Sequence, residues 1–173
     1  MRETLPDIKL ICLLRDPVDR AYSHYQMSLR DGQETLSFDA ALDEETPRLD
    51  GEVERMLRED TYYGIGWHMY SYQARGVYVD QLLNWIAEFG RNQLLILRSE
   101  ELYRDPRAVL RRVFGFLNLP PSELPQYSQF NHAPYPDLQV DTERRLIAYF
   151  RPLNQRLDEL LEEPFSAGWE RWQ

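Results

Sequence analysis

The stretch Lys9-Leu10-Ile11-Cys12-Leu13-Leu14-Arg15-Asp16-Pro17-Val18-Asp19-Arg20-Ala21-Tyr22-Ser23-His24-Tyr25 decides how the chain is read. Leu10 to Leu14 form an unbroken apolar run, the pattern of a strand covered on both faces. The run stops at Arg15. Asp16 suits a helix N-cap, and Pro17 the first helical position, where a missing N–H costs nothing. Val18, Ala21, Tyr22, Tyr25 and Leu29 then share one helical stripe, with Arg20, Ser23 and Met27 off it. The turn puts a guanidinium at a strand's carboxyl end and a hydroxyl on the next helix. Open α/β sheets bind ligands at that edge. A planar guanidinium can hold phosphate through two parallel hydrogen bonds, and a hydroxyl can donate another. Taken alone, the pair reads more readily as a salt-bridged arginine and a helix-surface serine of an ordinary α/β protein.

Outward from this stretch the chain keeps the character of one α/β domain. Ser37 to Leu42 reads as a short capped helix, Pro47 as an interruption, and Gly51 to Arg58 as a second, charged helix. Acids outnumber bases from Asp39 to Asp60, which suits a solvated surface insertion or, less simply, a gate. Thr61 to His68 is aromatic and broken by two glycines, hence a loop or turn. A long helix is expected from about Tyr70 to Phe89, with Tyr78, Leu82, Trp85, Ile86 and Phe89 on one face. Gly76 inside it marks a break or a close crossing, at about 1 kcal/mol relative to Ala. Gln93 to Leu97 is the second strand. Asp105-Pro106 opens another helix with Val109, Leu110, Val113, Phe116 and Leu117 as its stripe, and Leu119-Pro120-Pro121 stops it. The last helix runs from about Asp141 to Leu161, with Leu146, Phe150, Leu153, Leu157 and Leu160 at helical spacing. Pro152 should kink it. Phe165 and Trp169 are expected to fold back on the core.

Composition narrows the function classes. The 173 residues suit one domain, 1–173, with no repeat and no linker. A net charge of −9 argues against a nucleic-acid surface and against a broad cradle for a highly anionic polysaccharide. It leaves room for a local basic pocket. No apolar run reaches the roughly 18–20 residues of a membrane span. The single Cys12 forms no internal disulfide and reads as a small buried side chain, compatible with a reducing, cytoplasmic setting. No metal-ligand spacing and no Ser-His-Asp set is present.

Arg15-Asp16-Pro17-Val18-Asp19-Arg20-Ala21-Tyr22-Ser23 resembles the 3′-phosphate-binding element of sulfotransferases, which use 3′-phosphoadenosine 5′-phosphosulfate (PAPS). There an Arg ends the strand, a Ser lies eight positions on, and both hold the nucleotide's 3′-phosphate. Further matches follow in order. Gly76 to Phe89 is similar to the family's next helix, and Gln93 to Pro106 to its next strand and Glu-Leu…Asp-Pro turn. Phe116-Leu117-Asn118-Leu119 resembles the end of the following helix. Tyr149 to Trp169 resembles the closing helix of the heparan-sulfate-type and bacterial branch. The resemblance implies a P-loop-like α/β fold with a short parallel sheet flanked by helices. It implies transfer of a sulfuryl group from PAPS to a hydroxyl or amine, without a metal. Arg15 and Ser23 are then the cofactor-binding residues, and a small molecule or carbohydrate is the acceptor.

Two departures qualify the match. The family opens with a strand, a Lys/Gly/Ser-rich loop and a helix that wrap the 5′-phosphosulfate. No Gly-x-x-Lys-Ser/Thr string occurs here, so the chain is expected to lack the N-terminal strand–loop–helix and to resemble the C-terminal two-thirds of the domain. An exposed apolar sheet edge would follow, with instability or self-association. Where heparan-type relatives carry Lys-Gly-Arg before the last helix, this chain has Asn131-His132-Ala133. The catalytic base is unassigned. His68, after the aromatic loop, is the candidate, against a packing or surface role. His132 could meet phosphate when protonated. His24 points away from Ser23, and Glu100 and Glu101 suit capping or a salt bridge with Arg98 or Arg104. The alternatives are a non-catalytic remnant that binds the 3′,5′-bisphosphate nucleotide, and a fragment that needs a separate N-terminal piece.

Overall fold

The computed structural model describes residues 3–122, 127 and 135–172. Strand β1 (Leu10–Leu14) pairs in parallel with β2 (Leu94–Arg98), Leu10 opposite Leu94 and Leu14 opposite Arg98. Helices make up most of the rest, so the fold is α/β with a two-stranded sheet. The strand positions match their apolar runs. The burial of β1 does not match. Ile11 and Leu13 are 43% and 47% exposed, while Leu14 is buried. Alternate side chains of a strand face opposite ways, and among the described residues the Ile11–Leu13 face lacks a full cover. β2 is better enclosed, with Leu94, Ile96 and Leu97 buried.

The chain forms two compact units that it enters by turns. The first comprises Met1–Asp16, Tyr78–Pro134 and Asn154–Gln173; the second, Pro17–Val77 and Tyr135–Leu153. The helices are α1 (Pro17–Arg30), α2 (Phe38–Asp43), α3 (Glu45–Leu49), α4 (Glu52–Arg58), α5 (Ile65–Tyr70), α6 (Tyr78–Phe89), α7 (Ser99–Arg104), α8 (Pro106–Leu117) and α9 (Val140–Leu161).

In the first unit the sheet is accompanied by α6, α7, α8 and the end of α9. α6 begins at Tyr78, not near Tyr70, and buries Tyr78, Val79, Leu82 and Phe89, whereas Trp85 is exposed. Asp105 caps α8 by accepting the Ala108 N–H at 3.0 Å, with Pro106 in the first turn. Asn118 closes it in the left-handed conformation. Of the expected α8 stripe only Val109 is fully buried. The other four are half-buried. Phe165 and Trp169 are buried, edge to face at 5.5 Å. α9 runs through Pro152; the part of it in this unit buries Leu157, and the part that belongs to the second unit buries Leu146 and Phe150.

In the second unit α1 buries Pro17, Val18, Ala21, Tyr22, His24, Tyr25 and Ser28. The buried stripe is rotated from the expected one, and Leu29 is exposed. Two polar contacts explain the rotation. His24 Nε2 donates to the His68 carbonyl at 2.9 Å, and Ser28 Oγ donates to the Met69 carbonyl at 3.1 Å. Tyr22, Tyr25, Phe38 and Tyr72 form the aromatic centre, with ring centroids 4.7–6.3 Å apart in the contacting pairs. Ser37 caps α2 as expected. Pro47 does not interrupt; it lies in the first turn of α3, where backbone N–H groups have no helical acceptor to lose. The aromatic stretch is a loop only as far as Gly64, and Trp67 and His68 belong to α5.

The acidic insertion is not wholly a solvated surface. Glu45 is buried, and its carboxylate accepts the Gln73 and Ala74 N–H groups at 2.7–3.0 Å, which caps the short 3-10 turn Ala74–Gly76. Burial raises its pKa, and those N–H bonds oppose the rise. Gly76 serves the close approach. A Cβ there would lie 2.7 Å from the Phe150 ring and 3.2 Å from Pro17.

Candidate functional site

Arg15 leaves the end of β1, and the turn that carries it is held by hydrogen bonds to its main chain and to the Asp16 carboxylate. Tyr78 Oη donates to the Arg15 carbonyl at 2.8 Å. The Asp16 N–H donates to Glu100 Oε1 at 2.9 Å. The Asp16 carboxylate is almost fully buried. It accepts the Trp172 Nε1–H at 3.0 Å and pairs with Arg171, also at 3.0 Å. The second oxygen of Glu100 accepts the Trp169 Nε1–H at 3.0 Å. A buried carboxylate needs such partners, because unpaired it would lose its hydration without replacement. Arg15 itself is half-buried.

Ser23 is half-buried on α1, on the side away from the helix's buried stripe, as the spacing predicts. Beside it on the same helix, Arg20 donates to the carbonyls of Ser71, at 3.2 Å, and Tyr72.

His68 is built into a small cluster within the second unit. Its ring stacks on Tyr63, centroids 4.3 Å apart, and Arg75 Nη2 lies 2.9 Å from its Nδ1. A guanidinium only donates, so Nδ1 must accept and the neutral ring carries its proton on Nε2. In this arrangement His68 offers an N–H donor. Acting as a base would require release of the Arg75 bond. His24 lies close by, buried and neutral. Burial first, then the Arg20 and Arg75 charges, lower its pKa to about 4, against the bonds to the His68 and Ser71 backbone. His132, with its neighbours Asn131 and Ala133, lies outside the described residues.

Glu101 takes the salt-bridge role expected of it, with Arg98 and also with Arg112 at 2.7 Å. Those bonds hold its pKa below the usual carboxylate range, although burial alone would raise it. Of the two arginines expected there, Arg98 is the partner, and Arg112, from the middle of α8, is the second. Burial pushes the half-buried Cys12 thiol up.

The sequence reading missed the grip on Asp16 from Arg171 and Trp172, and the part of Glu100 in it. One signal was available. A buried indole N–H needs an acceptor, so tryptophans near the end of a chain call for a carboxylate or carbonyl elsewhere.

The second unit also holds an open cavity of about 370 Å³. Glu45, Asp50, Glu54, Trp67 and Tyr149 are in its wall, which contains no lysine or arginine. Among the described residues no group of three or more His, Cys, Asp and Glu side chains is placed to hold a metal ion. No described helix is long and apolar enough to cross a membrane.

Comparison with known proteins gives one consistent result. The model of the sulfotransferase domain matches residues 3–138. Mouse carbohydrate sulfotransferase 15 is 27% identical over 175 residues, covering 94% of this chain and 31% of that protein. Human heparan sulfate glucosamine 3-O-sulfotransferase 3B1 is 24% identical over 188 residues, covering 95% of this chain and 44% of that protein. Among solved structures, a sulfotransferase from Alicyclobacillus acidocaldarius superposes with a TM-score of 0.73 at 34% identity, covering 96% of this chain and 60% of that one. The chain thus spans less than half the length of these two curated relatives.

Proposed function

Because this chain belongs to the sulfotransferase domain family, we propose that it serves transfer of a sulfuryl group from PAPS to an acceptor hydroxyl or amine, with Arg15 and Ser23 holding the 3′-phosphate. The observation that carries the reading is the Arg15–Asp16 turn, fixed at the end of a parallel strand by Tyr78 and Glu100. The donor set fits the ligand. A guanidinium presents two parallel N–H groups to phosphate, and the Ser23 hydroxyl adds a third donor. PAPS supplies the activated sulfuryl group and a bisphosphate that departs with the charge. The residues of this chain bind and orient that nucleotide, which lowers the entropic part of the barrier. His68, as the Nε2–H tautomer, is a hydrogen-bond donor toward an acceptor or a developing charge.

For the acceptor we propose a carbohydrate hydroxyl, because the similar proteins are a carbohydrate sulfotransferase and a heparan sulfate glucosamine 3-O-sulfotransferase. The net charge of −9 favours a neutral or weakly charged sugar over a polyanionic chain.

Calorimetric titration with adenosine 3′,5′-bisphosphate tests the nucleotide site, and transfer of labelled sulfate from PAPS to a panel of neutral sugars tests the reaction. Saturable binding with transfer supports the whole reading. Binding without transfer keeps the nucleotide site and removes the enzyme. No binding removes both.

A further inference from the structure

We infer that the segment Phe165–Trp172 is a positioning element for the anion-binding turn, acting on Arg15 through Asp16 and Glu100. The inference rests on the nucleotide reading above and adds the residues that set the geometry of its main cation.

Two separate handles on Asp16 lead to this one short segment. The side-chain handle is direct: Trp172 Nε1 and Arg171 both bond the buried carboxylate. The main-chain handle has one relay: the Asp16 N–H bonds Glu100 Oε1, and Glu100 Oε2 bonds Trp169 Nε1. Arg15 is the preceding residue, and its carbonyl is taken by Tyr78, whose ring lies 6.2 Å from that of Trp169. The peptide group that follows the Arg15 Cα is therefore held at both its carbonyl and its N–H. A guanidinium that must meet phosphate with two parallel bonds gains most from such fixing, because its tip swings far for a small change at its root.

The segment has little slack of its own. Asp158 accepts both the N–H and the hydroxyl of Ser166 at 2.7 Å. Arg98 Nη1 donates to the Phe165 carbonyl at 2.8 Å. A Cβ on Gly168 would meet the Arg98 guanidinium at 2.5 Å, so glycine lets that side chain lie across the segment. Phe165 and Trp169 are buried.

The test separates a positioning role from a merely structural one by reading only the 3′-phosphate. Dissociation constants for adenosine 3′,5′-bisphosphate and for adenosine 5′-phosphate are measured on the whole chain, and the ratio of the second to the first reports the Arg15 contact. Trp172→Phe keeps the ring and deletes the N–H donor. Arg171→Gln weakens the second bond to Asp16, should the first variant fold poorly. Each variant is expected to lower the ratio about three- to tenfold, a fraction of what a charge-assisted hydrogen bond is worth. In an Arg15→Ala background neither should change it. An unchanged ratio in both variants, with a wild-type preference for the bisphosphate, overturns the inference and leaves the nucleotide reading intact. Equal loss for both nucleotides, persisting without Arg15, overturns it as well by showing a structural role. A wild type with no preference for the bisphosphate removes the nucleotide reading itself, and the inference with it.

Discussion

Arg48 Nη1 lies 2.5 Å from Glu34 Oε2, and the carboxylate it meets is 2% exposed. The same carboxylate accepts the Thr35 and Leu36 N–H groups at 2.8 and 3.0 Å and the Tyr72 hydroxyl at 2.9 Å. Burial would raise the Glu34 pKa, but these four donors outweigh it and hold it at about 2. Glu34, in the link from α1 to α2, thus ties that link to Arg48 of α3 and to Tyr72. Removing one partner of a buried pair leaves the other charge uncompensated, so Glu34→Gln should cost about 3 kcal/mol at neutral pH. Urea unfolding of the two proteins measures the difference. A loss below about 1 kcal/mol would mean that water already reaches the pair.

The acid limb of stability follows from the same group. Its folded pKa lies below the unfolded value of roughly 4.3. Between about pH 4.3 and pH 2 the unfolded chain therefore holds the extra proton, and stability falls as pH falls. His24 acts in the window above. Its folded pKa of about 4 lies below the unfolded value of roughly 6.5, so the unfolded chain again binds more protons, and stability declines from about pH 6.5 to pH 4. His24→Gln should flatten the upper limb and Glu34→Gln the lower one. Denaturation midpoints measured at half-unit pH steps would show each limb separately, and a His24→Gln profile parallel to wild type from pH 6.5 to 4 would contradict the assignment.

What was legible in the sequence was local. Asp105-Pro106 and Ser37 marked helix starts because a cap bonds a backbone N–H three residues on. The apolar runs marked both strands. They did not mark coverage, because an apolar run reads alike whether one face is enclosed or two, and Ile11 and Leu13 are half-exposed. Partners distant in sequence were not legible. Glu45 looked like one acid among many until the 3-10 turn at Ala74 supplied its N–H donors. Asp16 looked like a simple helix cap, yet its carboxylate is held by Arg171 and Trp172. For the candidate site, the positions of Arg15 and Ser23 on strand end and helix were readable, and the grip around Arg15 was not.

Gly76 is a case in which the sequence left two readings and the structure contains both. The helix expected from Tyr70 breaks at the 3-10 turn, and the glycine admits the Phe150 ring at 2.7 Å from where a Cβ would be. Phe150 is fully buried, so its ring has nowhere to retreat. Gly76→Ala usually favours a folded chain through the unfolded state, by about 0.4–1 kcal/mol. Here the clash should dominate, with a net loss of about 1–3 kcal/mol typical of overpacking. Gly76→Ala combined with Phe150→Leu should recover part of the loss, since the contact is one between neighbours and the two changes couple. Thermal melts of the single and double variants decide it; additive losses would place the strain elsewhere.

The proposed phosphate contact has a graded signature. Arg15→Ala removes the charge and both hydrogen bonds, and should weaken adenosine 3′,5′-bisphosphate binding by about 100-fold, the effect of losing roughly 3 kcal/mol of charge-assisted bonding. Arg15→Lys keeps the charge but loses the planar fork, so an intermediate loss of about tenfold is expected. Ser23→Ala removes one neutral donor to an anion and should cost about five- to tenfold. None of the three should weaken adenosine 5′-phosphate, which lacks the group they are proposed to hold. The salt dependence distinguishes the two arginine variants further. An ammonium meets phosphate as a point charge, so Arg15→Lys should retain the wild-type sensitivity to ionic strength, while Arg15→Ala should lose it. Titration calorimetry at two salt concentrations with both nucleotides reads all of these. Equal weakening of both nucleotides by Arg15→Ala would show that the guanidinium holds the fold, and the 3′-phosphate assignment would then fail.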